Sequence, residues 1–255
     1  MTLYIVIGSI VGVFVLICLL TLLRIYFRSD SRKGKKGDKT AAALLKNYML
    51  RGDKLINDII LYDDDTKSSV QIDHILFSTR GIYVIETKNY SGKIYGTDKQ
   101  SIWTHVYDDK KPNMQFYSPV KQNAIHIAAV KKILSNPLTT IYNIVIFMNG
   151  DISEVNCRCV YTPLTIANFF KLHTEVKLSS AARDKMYNEI NEYAQENRIS
   201  KRQHIKNVEK TQKRLDNRIC PRCKGHLVKR VGKYGEFWGC ENYPDCRFAM
   251  RIKKQ

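Results

Sequence analysis

The distribution of apolar positions divides this 255-residue chain into three regions. From Leu3 to Leu23 most residues are apolar and none is charged. About 20 such residues span a bilayer as a helix, so this run predicts a transmembrane segment. From residue 40 to 197, short apolar runs alternate with amphipathic stretches, which predicts strands and helices around one core. From residue 198 onward the chain is polar and basic and contains four clustered cysteines.

The flanks of the first apolar run favour a membrane anchor over a cleaved signal peptide. No Lys or Arg precedes the run, and bulky leucines fill its end, where a signal peptide would carry small residues. Basic residues follow at once: Arg24, Arg28, Arg32, Lys33, Lys35 and Lys36. The positive-inside rule therefore predicts a single-pass protein of a bacterial cell membrane, with its N-terminus outside and residues 24–255 cytoplasmic.

The middle region predicts a mixed α/β sheet with helices on its faces. A helix is expected over residues 40–51. Strands are expected at Leu55–Leu61, Val70–Ser78 and Ile82–Thr87, the last two joined by an Arg80-Gly81 turn. The later elements expected are an extended stretch to Tyr107, a helix from Pro119 to about Leu134, strands at Ile141–Met148 and Arg158–Thr162, and helices at Pro163–His173 and Ser179–Asn197. Residues 198–218 fit either a linker or an exposed helix.

These patterns predict five segments in chain order. They are a transmembrane helix (1–24), a basic linker (25–36), an α/β domain (37–197), a second basic linker (198–218) and a four-cysteine module (219–255).

The formal net charge of +18 is concentrated at the two ends of the chain. Residues 24–39 contain seven Lys or Arg against two acids, and residues 198–255 contain seventeen against five. Basic ends beside a nearly neutral middle favour an anionic partner, although a solubilising charge run would look the same.

Three residues near one turn form a candidate catalytic constellation. Asp73 falls in the second predicted strand, and Glu86 and Lys88 fall two apart at the end of the third. Residues i and i+2 share a face of a strand, so Glu86 and Lys88 project together, and a paired strand can bring Asp73 beside them. Asp73 and Glu86, with the Thr87 carbonyl, could hold Mg²⁺ or Mn²⁺.

A surface Glu-x-Lys at a solvated strand end is the alternative interpretation. The strands around the three residues are strongly apolar, which predicts that this sheet face is buried. Buried charges need partners or a metal, so the pattern favours a site.

Residues 37–135 resemble the nuclease-related domain (NERD) of the PD-(D/E)xK nuclease superfamily. The matching positions are Gly37-Asp38, Gln71 to His74, Gly81 to Tyr90, Gly92 to Gly96, Trp103 and Ser118 to Asn123. The resemblance implies a restriction-endonuclease-like core in which Asp73, Glu86 and Lys88 take the metal-binding and catalytic roles. It also implies a place for Gln122 near the scissile phosphate.

Two residues of these motifs have competing interpretations. The family usually has Glu where this chain has Asp38, and Asp38 could instead cap the helix from Thr40, which we favour. His74 points away from Asp73 and is expected to be a hydrogen-bonded core residue.

The C-terminal cysteines have the spacing of a structural zinc site. Cys220 and Cys223 are followed by Cys240 and Cys246, and four thiolates complete a tetrahedral Zn²⁺ site. In contrast, Cys157 and Cys159 form an isolated Cys-x-Cys, which predicts a structural role because two ligands alone make a poor metal site.

The module around these cysteines resembles the four-cysteine finger at the C-terminus of bacterial type I DNA topoisomerases. That resemblance implies DNA binding, often to single strands. In this module, aromatic rings that can stack on bases alternate with cations that can contact phosphates. The predicted DNA contacts are Arg230, Lys233, Tyr234, Phe237, Trp238, Tyr243 and Arg247. Trp238 and Phe248 could equally form the core of the module. The chain lacks the length for the strand-passage domains of a topoisomerase.

Taken together, these features predict a membrane-anchored, metal-dependent deoxyribonuclease with structural zinc. A non-catalytic, membrane-tethered DNA-binding protein and a scaffold for a protein partner are the alternatives.

Overall fold

The computed structural model describes residues 34–108, 113–136, 139–232 and 235–251. These residues form two compact units. The first comprises the chain to Asp53, Ile85–Asn123 and Asn143–Glu175, and the second comprises Lys54–Val84, Ala124–Tyr142 and the chain from Val176. Each described helix is too short or too polar to cross a bilayer. The predicted anchor at 1–24 lies outside the described residues.

The first unit is built on a mixed sheet. Its strands are β3 (Gly81–Thr97), β4 (Ile102–Val106), β5 (Met114–Tyr117), β6 (Ile141–Asn156) and β7 (Val160–Tyr161). β4 pairs antiparallel with β3 and β5, β6 pairs with β3, and β7 runs parallel to β6. The helices are α1 (34–46), the start of α2 (Pro119–Ile133) and α3 (Thr165–Leu172).

Aromatic packing holds the core of the first unit together. Trp103 is fully buried and stacks on Phe147, while its indole Nε1 donates to the Thr97 carbonyl at 3.1 Å. Gly96 lies directly beneath the indole, where any Cβ would overlap the ring. The glycine at this position is therefore required by the packing of Trp103.

The second unit packs an antiparallel hairpin against helices. It contains β1 (Lys54–Asp63), β2 (Ser68–Ser78) and the first residues of β3, with β1 and β2 paired over nearly their full length. The rest of α2, then α4 (Ser180–Glu196) and α5 (Lys201–Asp216), complete the unit. Its apolar core includes Ile72, Phe77, Val130, Met186 and Ile190.

The C-terminal part of the second unit is a small three-stranded ribbon. Its strands are β8 (Leu227–Gly232), β9 (Gly235–Cys240) and β10 (Ala249–Arg251), with β9 in the centre. Two of the predicted DNA contacts, Lys233 and Tyr234, lie outside the described part of the chain.

The predicted helices and strands are present with changed bounds, and β5 was not predicted. β3 and β6 extend well beyond their predicted ends, while β7 has two residues where five were expected. Residues 198–218, which fitted either a linker or an exposed helix, contain α5. Finally, α1 already includes residue 34, so Asp38 lies inside the helix and the predicted N-cap role for Asp38 is wrong.

Candidate functional site

Three of the predicted site residues meet in the first unit. Glu86 and Lys88 lie two apart on β3, and the Lys88 ammonium donates to Glu86 Oε1 and to Gln122 Oε1, the latter at 3.2 Å. The Glu86 side chain is 3% exposed and that of Lys88 is 17% exposed. The site thus holds an ion pair largely shielded from water, which Gln122 extends by a further hydrogen bond.

Hydrogen bonds of the residues on either side of Gln122 hold the start of α2 in place. Ser118 is fully buried, and its amide donates to the Ser101 carbonyl at 2.8 Å. Asn123 is also fully buried and donates to Asn143 Oδ1 at 2.8 Å and to the Ile144 carbonyl at 3.1 Å. Gln122 lies between these two anchors, so its side chain is held where it reaches Lys88.

Helix α1 packs closely beside the end of the site. A Cβ at Gly37 would lie 2.7 Å from Cβ of Asn89, the residue after Lys88, so glycine allows the helix to approach the strand. Asp38 is the next residue of α1 and is half-buried. The Gly37-Asp38 motif therefore lies on a helix that approaches β3 at Asn89.

Asp73 belongs to the second unit, where it lies half-buried on β2. Its neighbour His74 is buried, and His74 Nδ1 lies 2.7 Å from Asn57 Oδ1 on β1. Burial lowers the pKa of His74 to about 4, so the imidazole is neutral at physiological pH. The arrangement fits the expected hydrogen-bonded core histidine.

The four C-terminal cysteines form a compact tetrad. Their sulfur atoms all lie within 4.8 Å of one another, with 3.7 Å between those of Cys220 and Cys246 and 3.2 Å between those of Cys223 and Cys240. Thiolates bound at about 2.3 Å to a tetrahedral Zn²⁺ are separated by about 3.8 Å. The tetrad fits Zn²⁺, and four protein ligands leave no open position, so this zinc is structural.

The two faces of the ribbon differ in character. Trp238 packs with Leu227 and the cysteines on one face, and the guanidinium carbon of Arg218 lies 4.2 Å from its ring centroid. Phe248 packs on the same cluster. Of the two roles open to Trp238 and Phe248, the structure therefore favours the ribbon core.

The opposite face carries the half-buried Arg230 and Phe237 beside the exposed Tyr243. Arg230 and Phe237 are paired across β8 and β9 and therefore share this face. A Cβ at either Gly232 or Gly239 would lie 3.1 Å from the Phe237 ring, which shows that the ring lies flat over two glycines. Tyr243 is 61% exposed, and the Arg230 guanidinium carbon lies 5.8 Å from its ring centroid. Arg247 is also exposed.

Helix α5 is a basic element whose packing the apolar pattern did not indicate. It contacts β2 through polar side chains, with His204 Nδ1 2.9 Å from Ser69 Oγ and Asn207 Nδ2 3.4 Å from the same hydroxyl. At its other end Leu215 packs on the ribbon core. The Arg and Lys residues on its solvent-exposed side are Arg202, Lys206, Lys210 and Lys213.

Comparison with known protein families identifies both regions. Residues 33–148 match the model of the nuclease-related domain, and residues 217–255 match that of the topoisomerase DNA-binding C4 zinc finger. The chain carries a nuclease-related domain followed by a topoisomerase-type zinc ribbon. This pairing suggests DNA binding and a nuclease-like function.

The curated relatives match parts of the chain, and the chain spans half or less of the length of each of them. An uncharacterized protein of Bacillus anthracis is 34% identical over 109 residues, which are 43% of this chain and 50% of the relative. DNA topoisomerase 1 of Methanocaldococcus jannaschii is 45% identical over 40 residues, 16% of this chain and 5% of the enzyme. DNA topoisomerase 1 of Helicobacter pylori is 47% identical over 34 residues, 13% of this chain and 5% of the enzyme. No solved structure matches the chain significantly.

Proposed function

We propose that this protein binds DNA through its zinc ribbon and hydrolyses phosphodiester bonds at its nuclease-related domain. The observation that carries the proposal is the shielded Glu86–Lys88–Gln122 cluster on β3 and α2. Shielding charged groups from water costs free energy, and interactions inside such a site are stronger than in solvent. A cluster of this kind is suited to stabilising the charge that develops on a phosphate during hydrolysis.

Lys88 and Gln122 would act directly on the reacting phosphate group. The ammonium is already oriented by two acceptors, so little reorganisation is needed when it meets a non-bridging phosphate oxygen. Gln122 can accept through Oε1 and donate through Nε2, which allows it to orient a water molecule or a phosphate oxygen.

A divalent metal fits the donors available to this site. Carboxylate and peptide carbonyl oxygens are the ligands that Mg²⁺ and Mn²⁺ prefer. In the proposed enzyme Glu86 would hold the ion, with the Thr87 carbonyl as a further ligand and Asp38 as a carboxylate from α1. When bound, such an ion acidifies a water molecule and neutralises phosphate charge.

The ribbon supplies the DNA-binding surface in this proposal. Phe237 and Tyr243 would stack on bases that are free of a partner strand, and Arg230 and Arg247 would contact phosphates. Stacking of this kind requires unpaired bases, so single-stranded or branched DNA is the favoured substrate. Lys233 and Tyr234 are proposed as further contacts to DNA. Residues 1–24 would hold the protein at the cell membrane, with both domains in the cytoplasm.

The experiment that tests catalysis uses the purified full-length protein in detergent with a panel of single-stranded, duplex and branched DNA. Cleavage is expected with Mg²⁺ or Mn²⁺, and EDTA should abolish it. Lys88→Ala should lose cleavage while retaining DNA binding, whereas Lys93→Ala on the same strand should retain both. Absence of cleavage by the wild-type protein, or equal cleavage by Lys88→Ala, would refute the enzymatic proposal.

A non-catalytic DNA tether is the second candidate, favoured by the basic helix α5 between the α4 helix and the ribbon. It predicts salt-dependent DNA binding that is lost in Cys220→Ser and unchanged in Glu86→Ala. If the protein binds no nucleic acid at all, a scaffold for a protein partner becomes the better account.

A further inference from the structure

Cys157 and Cys159 form a close thiol pair in the first unit, far along the chain from the zinc cysteines. Their sulfur atoms lie 3.2 Å apart, and both side chains are half-buried. The pair flanks Arg158 in the short turn between β6 and β7. Residues i and i+2 of an extended strand point the same way without touching, so it is the turn between β6 and β7 that brings the two sulfurs into contact.

The turn that carries the two thiols is fixed by hydrogen bonds. The Val145 amide donates to the Cys159 carbonyl at 2.9 Å, and the Tyr161 hydroxyl donates to the Arg158 carbonyl at 2.9 Å. Both cysteines also pack against the core that contains Trp103 and Phe147. The two sulfurs are therefore held together by the surrounding fold.

A metal is a poor explanation for this pair. In the described part of the chain, the one group of three or more His, Cys, Asp or Glu side chains close enough to share an ion is the ribbon tetrad. Two thiolates without further protein ligands make an incomplete site for zinc. Two cysteines held in contact, in contrast, are suited to forming a bond with each other.

We propose that Cys157 and Cys159 are a redox modification site, which a hydroperoxide converts into an intramolecular disulfide. In the first step the Cys157 thiolate attacks the terminal peroxide oxygen and the O–O bond breaks. Cys157 sulfenic acid forms, and the other oxygen leaves as hydroxide or alkoxide, which takes a proton from solvent. In the second step Cys159 sulfur attacks the sulfenic sulfur, and the sulfenic hydroxyl leaves as water with the Cys159 proton. The two sulfurs lose two electrons in total, which the peroxide takes up.

The pKa values of the two thiols are shifted in opposite directions, and this difference assigns these roles. A hydrogen bond from the Cys159 thiol lowers the pKa of Cys157, which favours the thiolate form of Cys157. The same hydrogen bond and burial raise the pKa of Cys159. Thiolate is the nucleophilic form, so Cys157 reacts first and Cys159 resolves the product. The closed loop has three residues and gains little chain-entropy stabilisation, which favours easy reduction.

Peptide mapping of the zinc-loaded full-length protein tests the proposal, because Arg158 separates the two cysteines. After treatment with hydrogen peroxide, alkylation and denaturation, trypsin should release peptides 133–158 and 159–171 as one joined species. Cleavage after Arg158 inside the small ring can fail, and the product is then peptide 133–171, lighter than its reduced form by two hydrogens. Dithiothreitol before alkylation should restore separate, doubly alkylated peptides.

Single variants test the order of the steps. Cys159→Ser should accumulate a sulfenic acid at Cys157 that dimedone traps, and Cys157→Ser should be oxidised at Cys159 at least tenfold more slowly. The zinc content should stay constant while the disulfide forms. Three results would overturn the proposal. They are alkylation of both Cys157 and Cys159 after peroxide treatment, a disulfide that joins two chains, and release of zinc before any change at Cys157.

Discussion

Lys88 Nζ lies 3.2 Å from Gln122 Oε1, and the same ammonium donates to Glu86. Gln122 is 34 positions further along the chain, on the first turns of α2. One cation therefore joins the middle of β3 to the start of α2. This contact organises the candidate site, since it shields the charge of Glu86 and orients the two groups proposed to act on phosphate.

Removing the Lys88 charge is expected to destabilise the fold. Lys88→Met should leave Glu86 shielded without this counter-ion, and loss of one partner of a buried ion pair costs roughly 3 kcal/mol. The free energy of unfolding, measured by chemical denaturation, checks this. The control is Lys93→Met on the same strand, whose bond to Glu154 spans 3.4 Å between half-exposed side chains. That exposed pair should contribute little to stability, so equal losses in the two variants would contradict the assignment.

Replacing Gly96 is expected to disturb the core of the nuclease-related domain. The Cβ of Gly96→Ala would overlap the Trp103 indole, and overpacking of this kind costs about 1–3 kcal/mol. The midpoint of thermal unfolding and tryptophan fluorescence together report the change. Gly34→Ala serves as the control, because a Cβ there meets no atom within 4 Å. A shift as large for Gly34→Ala as for Gly96→Ala would show that the indole contact is unimportant.

His74 is expected to make the protein acid-sensitive. Burial lowers the pKa of His74 from its ordinary value of 6.5 to about 4 in the folded state, so the unfolded chain binds its proton first. The contribution of neutral His74 to the free energy of unfolding is complete above about pH 6.5. It falls by on the order of 3 kcal/mol as the pH drops towards 4. Protonation would place a hydrogen on Nε2, which has no hydrogen-bond partner among the described residues.

The variant His74→Gln isolates this effect. Gln can still donate to Asn57 but does not titrate, so the difference in unfolding free energy between variant and wild type should shrink as the pH drops from 6.5 to 4. A difference that stays constant over this range would rule out His74 as the source of the acid sensitivity.

Alanine substitutions of the two aromatic residues of β9 should affect different properties of the ribbon. One should weaken DNA binding and the other should weaken zinc binding. Phe237→Ala removes a ring from the open face and should weaken binding to single-stranded DNA by about 1–3 kcal/mol with little loss of folding. Trp238→Ala removes a ring from the core around the cysteines and should loosen zinc binding. Fluorescence anisotropy with a labelled oligonucleotide and a zinc-chelator dye measure the two effects. If Phe237→Ala releases zinc and leaves DNA affinity intact, the assignment of the faces is reversed.

Much of the candidate site follows from the sequence alone. The spacing of Glu86 and Lys88 fixes a common face because strands repeat every two residues. The spacing of the four cysteines predicts the zinc tetrad, because a tetrahedral zinc site needs four such ligands and little else. Gln122 is less accessible to such reasoning, since its contact with Lys88 depends on how Ser118 and Asn123 anchor α2. Only the resemblance to the nuclease-related domain indicated it.

The predictions that failed have identifiable physical causes. Glycine is a poor helix former, so Gly34 and Gly37 concealed the early start of α1 and made Asp38 look like a cap. β3 runs past its predicted end at Thr87 through Gly92, whose φ of +94° and missing side chain allow the backbone of Val106 to approach closely. Helix α5 contacts β2 through Asn207 and His204 rather than an apolar stripe, and hydrophobic periodicity carries no signal for such contacts.

The most direct test of catalysis is the cleavage rate of Glu86→Gln on the DNA substrate that the wild-type protein cuts best. Gln has the same shape and can still accept from Lys88, so the variant should fold and bind DNA as the wild type does. A carboxylate that holds a catalytic metal cannot be replaced by an amide without loss, and we predict a rate at least a hundredfold lower. A Glu86→Gln protein that cleaves DNA at the wild-type rate would contradict the account.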